Sequence, residues 1–462
     1  MVENHDWEVR MNAKGKALIG TGLAAALALG ACGGDDGSSG STQIEQPTQA
    51  QLAAAGLQKF PLAPESDRVD LTAPAYSNST DVTNPLFPIK DLHSALLLGR
   101  VDGVPFRAET TLLPETRIFK LDDGQEVETL VSQYLAYLDG RIEEVALDHY
   151  AQADDGSVWY FGEDVFNYER GGLANTEGTW LAGKDGPPAL IMPADPKVGD
   201  TYRSENIPGQ VFEEVTVNSI DQTVDGPYGP IPGAMTGSEL HADGMREDKT
   251  FAPGYGEFLT GSGANVEAIA LAVPADTLEE PVPAELEELA GGADAAYEAA
   301  LAEDWPAAST ALAKVEAAWD AYRAGEVSPR IAAGMERAIS QLRRAIDGRD
   351  STDTALAATQ VAVSGLDFQL RHRPVAEIDL GRFELQAQRA LVDAAAGDLA
   401  GVGADVTALE WIRDRIAHSL DPVEVTRIDA ELLELRTNVT DDDLKAAAAT
   451  SSSLLEALNA AG

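Results

Sequence analysis

The sequence has one cysteine in 462 residues, Cys32, and six histidines. A lone thiol excludes an internal disulfide framework. It also excludes zinc sites built on two or more thiolates. Basic residues are scarce: 33 Lys and Arg face 77 Asp and Glu, a formal net charge of −44. Such a chain repels nucleic-acid phosphates, which disfavours DNA or RNA as a partner. Gly-x-Ser-x-Gly, His-Glu-x-x-His, the phosphate-binding Gly-rich loop and the calcium-loop spacing are all missing. No histidine has a glutamate three positions earlier, which removes the Glu-x-x-His pair of di-iron bundles. Covalent haem would need Cys-x-x-Cys-His. An axial pair could draw only on His372, His418 and Met335. The two histidines fall near expected helix ends among arginines, where a surface histidine is the plainer account. No cofactor, metal set or catalytic residue is assigned.

What is present is length, apolar content and acidity. Hydrophobic residues make up 44% of the chain, a globular composition, and the length suits two or three domains. The negative charge either solvates an exposed protein or offers carboxylates to divalent cations or a basic partner. Charge runs more often form solvated faces.

Cys32 follows a short apolar run, Ala17 to Leu29, which Lys14 and Lys16 precede. That is the n-region and h-region of a secretory signal, and it is shorter than the roughly 20 residues that span a bilayer. The run ends in Leu29-Gly30-Ala31-Cys32, which resembles the lipobox of bacterial lipoproteins. The resemblance implies cleavage before Cys32 and lipid on its sulfur, so the partner here is the membrane, at its extracytoplasmic face. An ordinary cleaved signal with a chance cysteine is the alternative. Glu3, Asp6 and Glu8 do not suit an n-region, so Met11 is read as the true start. Residues 33–60 read as a flexible, Gly/Ser/Asp-rich tether and lead-in.

The expected fold is α+β and multidomain. Residues 61–277 read as an antiparallel β-meander, either sandwich or half-barrel. Asp-Gly pairs stand at 102–103, 123–124, 139–140 and 155–156, and Asp-Gly favours two-residue hairpin turns. Further strands are expected at Phe212 to Ile220, Glu247 to Phe251 and Val266 to Val273. The stretches Val158-Trp-Tyr-Phe-Gly-Glu163, Met192-Pro-Ala194, Val198-Gly-Asp-Thr-Tyr202 and Phe251-Ala-Pro-Gly-Tyr-Gly256 are similar to those of uncharacterised exported bacterial β-proteins. That resemblance implies a fold and no activity.

Residues 283–460 read as an all-α region of eight helices, with starts marked by Ser328-Pro329 and Asp421-Pro422. An internal repeat at 92 to 94 residues aligns Asp304 with Asp398, Trp319 with Trp411, and Arg343 with Arg436. It divides the region into two four-helix units, about 284–371 and 377–459, with a helical solenoid as the rival arrangement.

The densest polar-aromatic group in the β-region is Asp148, His149, Trp159, Tyr160 and Glu163. Stacked aromatics beside a carboxylate suit a ligand groove for a carbohydrate or a cation. A core strand with a satisfied histidine accounts for the same residues more simply. The reading is therefore a membrane-anchored, non-catalytic lipoprotein that binds an envelope ligand or protein, or acts as a scaffold. An envelope hydrolase with an unrecognised acid/base pair, or a metal- or haem-handling lipoprotein, is the alternative. Sequencing the mature N-terminus should find it blocked at a lipid-bearing Cys32. A free thiol on an unprocessed chain would remove the anchor from the reading.

Overall fold

The computed structural model describes residues 43–459 except 263. The expected signal, the lipobox with Cys32 and the first part of the tether lie outside the described residues. Among the described residues, no helix is long and apolar enough to cross a membrane.

The chain enters through a short helix, α1 (Gln49–Ala54), whose N-terminus is closed by a Thr48 and Gln51 capping box. Its Leu52 packs with Leu57 and Phe212. Two antiparallel meanders follow. The first is β1 (Ser94–Val101), β2 (Val104–Lys120), β3 (Glu126–Leu138), β4 (Arg141–Gln152), β5 (Val158–Glu169) and β6 (Gly172–Asn175). The second is β9 (Thr201–Ile207), β10 (Val211–Gly226), β11 (Gly229–His241), β12 (Arg246–Ala252), β13 (Gly256–Ser262) and β14 (Asn265–Val273). Pairing of β1 with β14 joins them into one open sheet, ordered β6-β5-β4-β3-β2-β1-β14-β13-β12-β11-β10-β9. Two short strands, β7 (Trp180–Leu181) and β8 (Ala189–Met192), pair with β5. β8 also lies against β9, so the two ends of the sheet approach each other and the sheet curls into a cup. Of the two expected arrangements, the half-barrel is the one observed.

Turn chemistry accounts for the hairpins in detail. Asp102-Gly103 and Asp139-Gly140 both have two positive φ values (51° and 79°, 49° and 76°), the signature of a two-residue type I′ turn. At Asp123-Gly124 and Asp155-Gly156 only the glycine is positive, and its N–H bonds back to Leu121 and Ala153. These are longer loops, and the expected two-residue turn is corrected there. The floor of the cup is laid by residues 81–92. Asn84 donates to the Gly156 and Pro193 carbonyls, Gly254 donates to Pro85, and Phe87 packs on Tyr150 and Phe251 at 5.0 and 6.3 Å.

The C-terminal region is helical: α2 (Ala284–Leu301), α3 (Trp305–Tyr322), α4 (Pro329–Gly348), α5 (Ser351–Gln369), α6 (Val375–Ala396), α7 (Leu399–Ile416), α8 (Pro422–Thr440) and α9 (Leu444–Asn459). The Asp304, Asp350, Asp398 and Asp421 carboxylates cap four of them. α2 packs on α3 and α5, and α4 on α5. In the same way α6 packs on α7 and α9, and α8 on α9. Aligned positions make like ion pairs: Arg343 with Glu316 on α3, and Arg436 with Glu410 on α7.

The helices cover the convex face of the sheet. Leu96 and Leu271 share a core with Leu286 and Leu289, and Leu135 and Val145 share one with Leu409 and Ile412. Between the layers lies a balanced knot of charge. Glu109 of β2 accepts from Arg107 (2.8 Å) and Arg415 (2.7 Å), with Arg382 at 3.6 Å. Arg107 forks onto Asp367 at 2.6 and 2.8 Å, and Arg382 bonds Asp367 and Asp379. Burial opposes ionisation of Glu109, and the three guanidinium charges override it and hold its carboxyl far below the usual range. Removing one partner of such a buried set leaves uncompensated charge, at about 3–5 kcal/mol. Glu109→Gln should therefore lower the unfolding free energy by about that much in urea titration. A change under about 1 kcal/mol would show that the knot does not hold the layers.

Candidate functional site

The concave face of the cup borders a cavity of about 2650 Å³. It opens between the hairpin tips at 102–103, 139–140, 170–171 and 242–244 and helices α4 to α7. Phe87 and Tyr150 line its floor.

The walls carry carboxylates. On β4, strand alternation points Glu144 and Asp148 inward together with Ala146 and Tyr150. On β5 plain alternation would send Tyr160 and Glu163 to opposite faces. A bulge prevents this. Asp148 pairs with Glu163 and Tyr150 with Tyr160, so Phe161 and Gly162 together oppose His149. Gly162 supports the bulge with φ of 99°, and a Cβ there would lie 2.0 Å from the Trp180 carbonyl oxygen. A second bulge, on β9, acts on Glu205. Glu213 pairs with Glu205 and Val215 with Tyr202, so Arg203 and Ser204 oppose Glu214. Glu163 and Glu205 thus meet where the ends of the sheet approach. Trp180 donates its indole N–H to Glu205 at 3.0 Å.

The row continues through Glu213 on β10 and Glu239 and His241 on β11. Glu247, Lys249 and Glu257 follow on β12 and β13. Glu267 on β14 lies 3.3 Å from the Tyr134 hydroxyl. Lys249 and His241 are the bases set among these acids. Lys249 Nζ lies 3.2 Å from Glu239 and 3.1 Å from Glu257. His241 Nδ1 lies 3.2 Å from Glu213 Oε1.

Crowding of like charge in a partly desolvated wall sets the protonation. Burial, then the charge of Glu205, pushes the Glu163 carboxyl well above its usual range, and burial, then Glu213, does the same to Glu205. Burial and then Glu213 raise Glu239 to about 8. Glu213 moves the other way. Burial would raise it, but the His241 hydrogen bond and charge hold it at about 2. Burial would lower His241, and its bonds to Glu213 and Glu247 raise it instead to about 10.

The five residues singled out from the sequence divide between the faces. Asp148, Tyr160 and Glu163 come together on the concave side, where the Tyr160 hydroxyl donates to Asp148 at 2.7 Å and stacks on Tyr150 at 5.0 Å. His149 and Trp159 do not join them. His149 lies on the other face, 2% exposed, beside Arg117 (3.0 Å), Asp164 and the Phe119 ring. Burial, then the Arg117 charge, lowers it to about 4, so it is neutral. Trp159 is buried, with its indole bonded to Ser157 at 2.9 Å. Trp319 is a core residue against Phe368, whereas Trp411 is half-buried and bonds the Tyr168 hydroxyl of β5 at 2.8 Å. His372 lies at the α5 C-terminus, 2.9 Å from the Glu280 carbonyl, and Met335 is fully buried.

Sequence reasoning missed Glu205, Glu213, Glu239 and His241. The available signal was local: acids and a base alternating along strands, as in Glu239-Leu-His241 and Glu247-Asp-Lys249.

The cavity so built has tyrosine hydroxyls and more acid groups than bases. It can hold positive charge, and its raised carboxyls can carry protons. No protein-family model matches the chain, and no curated protein matches it.

Burial also raises Asp148, to about 7, with the Tyr160 bond opposing and Glu144 and Glu257 adding to it; Tyr150 and Glu163 also face it. Its folded value lies above the unfolded value of 3.8, so the folded state holds this proton more tightly. That stabilising contribution is complete below about pH 4 and is lost as pH rises through about 7. Thermal unfolding between pH 5 and 8 should therefore show a shallower loss of stability in Asp148→Asn than in the parent. Equal slopes would contradict the placement of that proton.

Proposed function

We propose that this protein is a lipid-anchored, extracytoplasmic, non-catalytic binding protein whose cup takes a cationic ligand. The address is supported by the charged and apolar segments ahead of Leu29-Gly30-Ala31-Cys32 and by the Gly/Ser/Asp tract that follows. The ligand class rests on a single observation. The cup wall gathers Glu163, Glu205, Glu213 and Glu257 along one stretch of the cavity, backed by the buried Glu239, and Lys249 and His241 are the bases nearest them. Acids outnumber bases over the whole lining, which elsewhere includes Arg107, Arg141, Arg170, Arg337, Arg344 and Arg389. Placing like charges side by side is unfavourable, and an arriving cation relieves it. Tyr134, Tyr150 and Tyr160 add hydroxyls and ring faces, which suits an organic cation. The helical layer packs on the convex face, and α4 to α7 also border the cavity.

A second reading, an envelope hydrolase, has one feature in its favour. Glu163 and Glu205 are adjacent carboxyls with raised proton affinity, a pattern that acid–base chemistry uses.

Isothermal titration with a linear diamine, and with the diol of equal length as control, tests the binding reading. The diamine should bind and the diol should not. Affinity should fall with added salt, and Asp148→Asn should weaken it several-fold. Equal behaviour of diamine and diol would refute a cation-selective cup. Turnover of cell-wall material that Glu163→Gln abolishes would favour the hydrolase.

A further inference from the structure

We propose that Glu213, Glu239 and His241 form a divalent transition-metal site in the wall of the cup. The proposal rests on the reading of the cup as a cation-binding cavity and names one cation class for it.

Two strands place the donors. Glu213 of β10 lies directly across from His241 of β11, and Glu239 is two residues earlier on β11, on the same face. One ligand atom from each of the three lies within 4.8 Å of the other two. A tetrahedral ion with bonds near 2.1 Å sets its donors about 3.4 Å apart, so small side-chain rotations close the set. Two carboxylates and an imidazole are donors that suit zinc and its first-row neighbours.

Two further features point to a ligand. Glu239 is 2% exposed, and its Oε2 faces only cationic or imidazole nitrogens, Lys249 Nζ at 3.2 Å and His241 Nε2 at 3.7 Å, while His241 Nε2 also lies 3.5 Å from Glu247 Oε2. The other carboxylate oxygens are already engaged. The buried Ser204 hydroxyl lies 3.3 Å from Glu213 Oε2 and 3.4 Å from Glu239 Oε1. The Ser204 hydroxyl, with one hydrogen to donate, holds one of these carboxylates at a time and leaves Glu213 Oε1 and Glu239 Oε2 to the imidazole, an outer-shell role found around metal ligands. Glu247 Oε2, 3.5 Å from His241 Nε2, is placed to supply a fourth oxygen. Lys249 Nζ, 3.2 Å from Glu239 Oε2, shows that a cation is tolerated against this group. It is bound on its other side to Glu257, which can retain it when a metal takes Glu239.

Titration of the full chain with zinc chloride should show one tight site. Glu239→Gln and His241→Ala should each weaken it at least tenfold, and Lys249→Met, which removes the competing ammonium, should tighten it. Anomalous diffraction from zinc-soaked crystals of the unaltered protein gives a reading independent of variant folding. Zinc should sit within bonding distance of Glu213, Glu239 and His241. Zinc elsewhere, no tight zinc site, or an affinity unchanged in both ligand variants would overturn the proposal. If zinc fails while the diamine still binds, the metal site falls and the cation-binding cup stands. If neither binds, both fall.

Discussion

Glu109 faces three guanidinium groups, two of them from the helices, in a largely buried layer. Arg107, Arg382 and Arg415 are balanced by Glu109, Asp367 and Asp379, so the knot is neutral as a whole and each member depends on the others. Buried charge of this kind adds little net stability over an apolar equivalent, yet breaking it leaves uncompensated charge. Its members come from both layers, so its pairings are met only with the helices on this face of the sheet. A one-residue slip of β2 would turn Glu109 into the cup and leave Arg382 and Arg415 without a partner. A second charged contact supports the same docking, where Arg141 of β4 meets Asp393 and Asp405 of α6 and α7.

With the convex face taken by helices, the concave face carries an apolar patch of Leu97, Phe106, Ala136 and Tyr255 and a packed floor. Phe87, Tyr150 and Phe251 close that end with aromatic contacts. Above them the wall carries carboxylates, a costly arrangement unless protons or cations compensate. The two bulges concentrate them. The Phe161-Gly162 bulge turns Glu163 inward, and the one at Arg203-Ser204 turns Glu205 inward, so both edges of the curled sheet present an acid at the closure. Bulges at sheet edges re-aim side chains in this way, and a glycine at positive φ is the residue that permits it.

Much of the architecture can be read from local chemistry. The Asp-Gly pairs mark hairpins, although only two of the four are two-residue turns. The helices begin at Asp caps and Ser-Pro or Asp-Pro steps, and their observed bounds fall within a few residues of the periodic pattern. β11 was hidden because Pro230, Pro232 and two glycines interrupt its alternation. Gly233 takes φ of 83°, and Gly237 lies against Val215 and Thr216, where a Cβ would come within 3.1 Å of Val215. Asp148 and His149 are neighbours in sequence and belong to opposite faces, so a group chosen by proximity along the chain mixed a cavity wall with a core.

The sequence by itself determined the two kinds of region, their order and most element ends, because periodicity, turn residues and caps act over a few residues. Tertiary structure decided which side of the sheet became a cup and which acids share it. Glu213 reaches His241 only through the register of a long hairpin that carries several bulges, and Glu163 reaches Glu205 only because the sheet curls until its ends approach. Those distances depend on pairings far apart in the chain, and spacing in the sequence does not encode them.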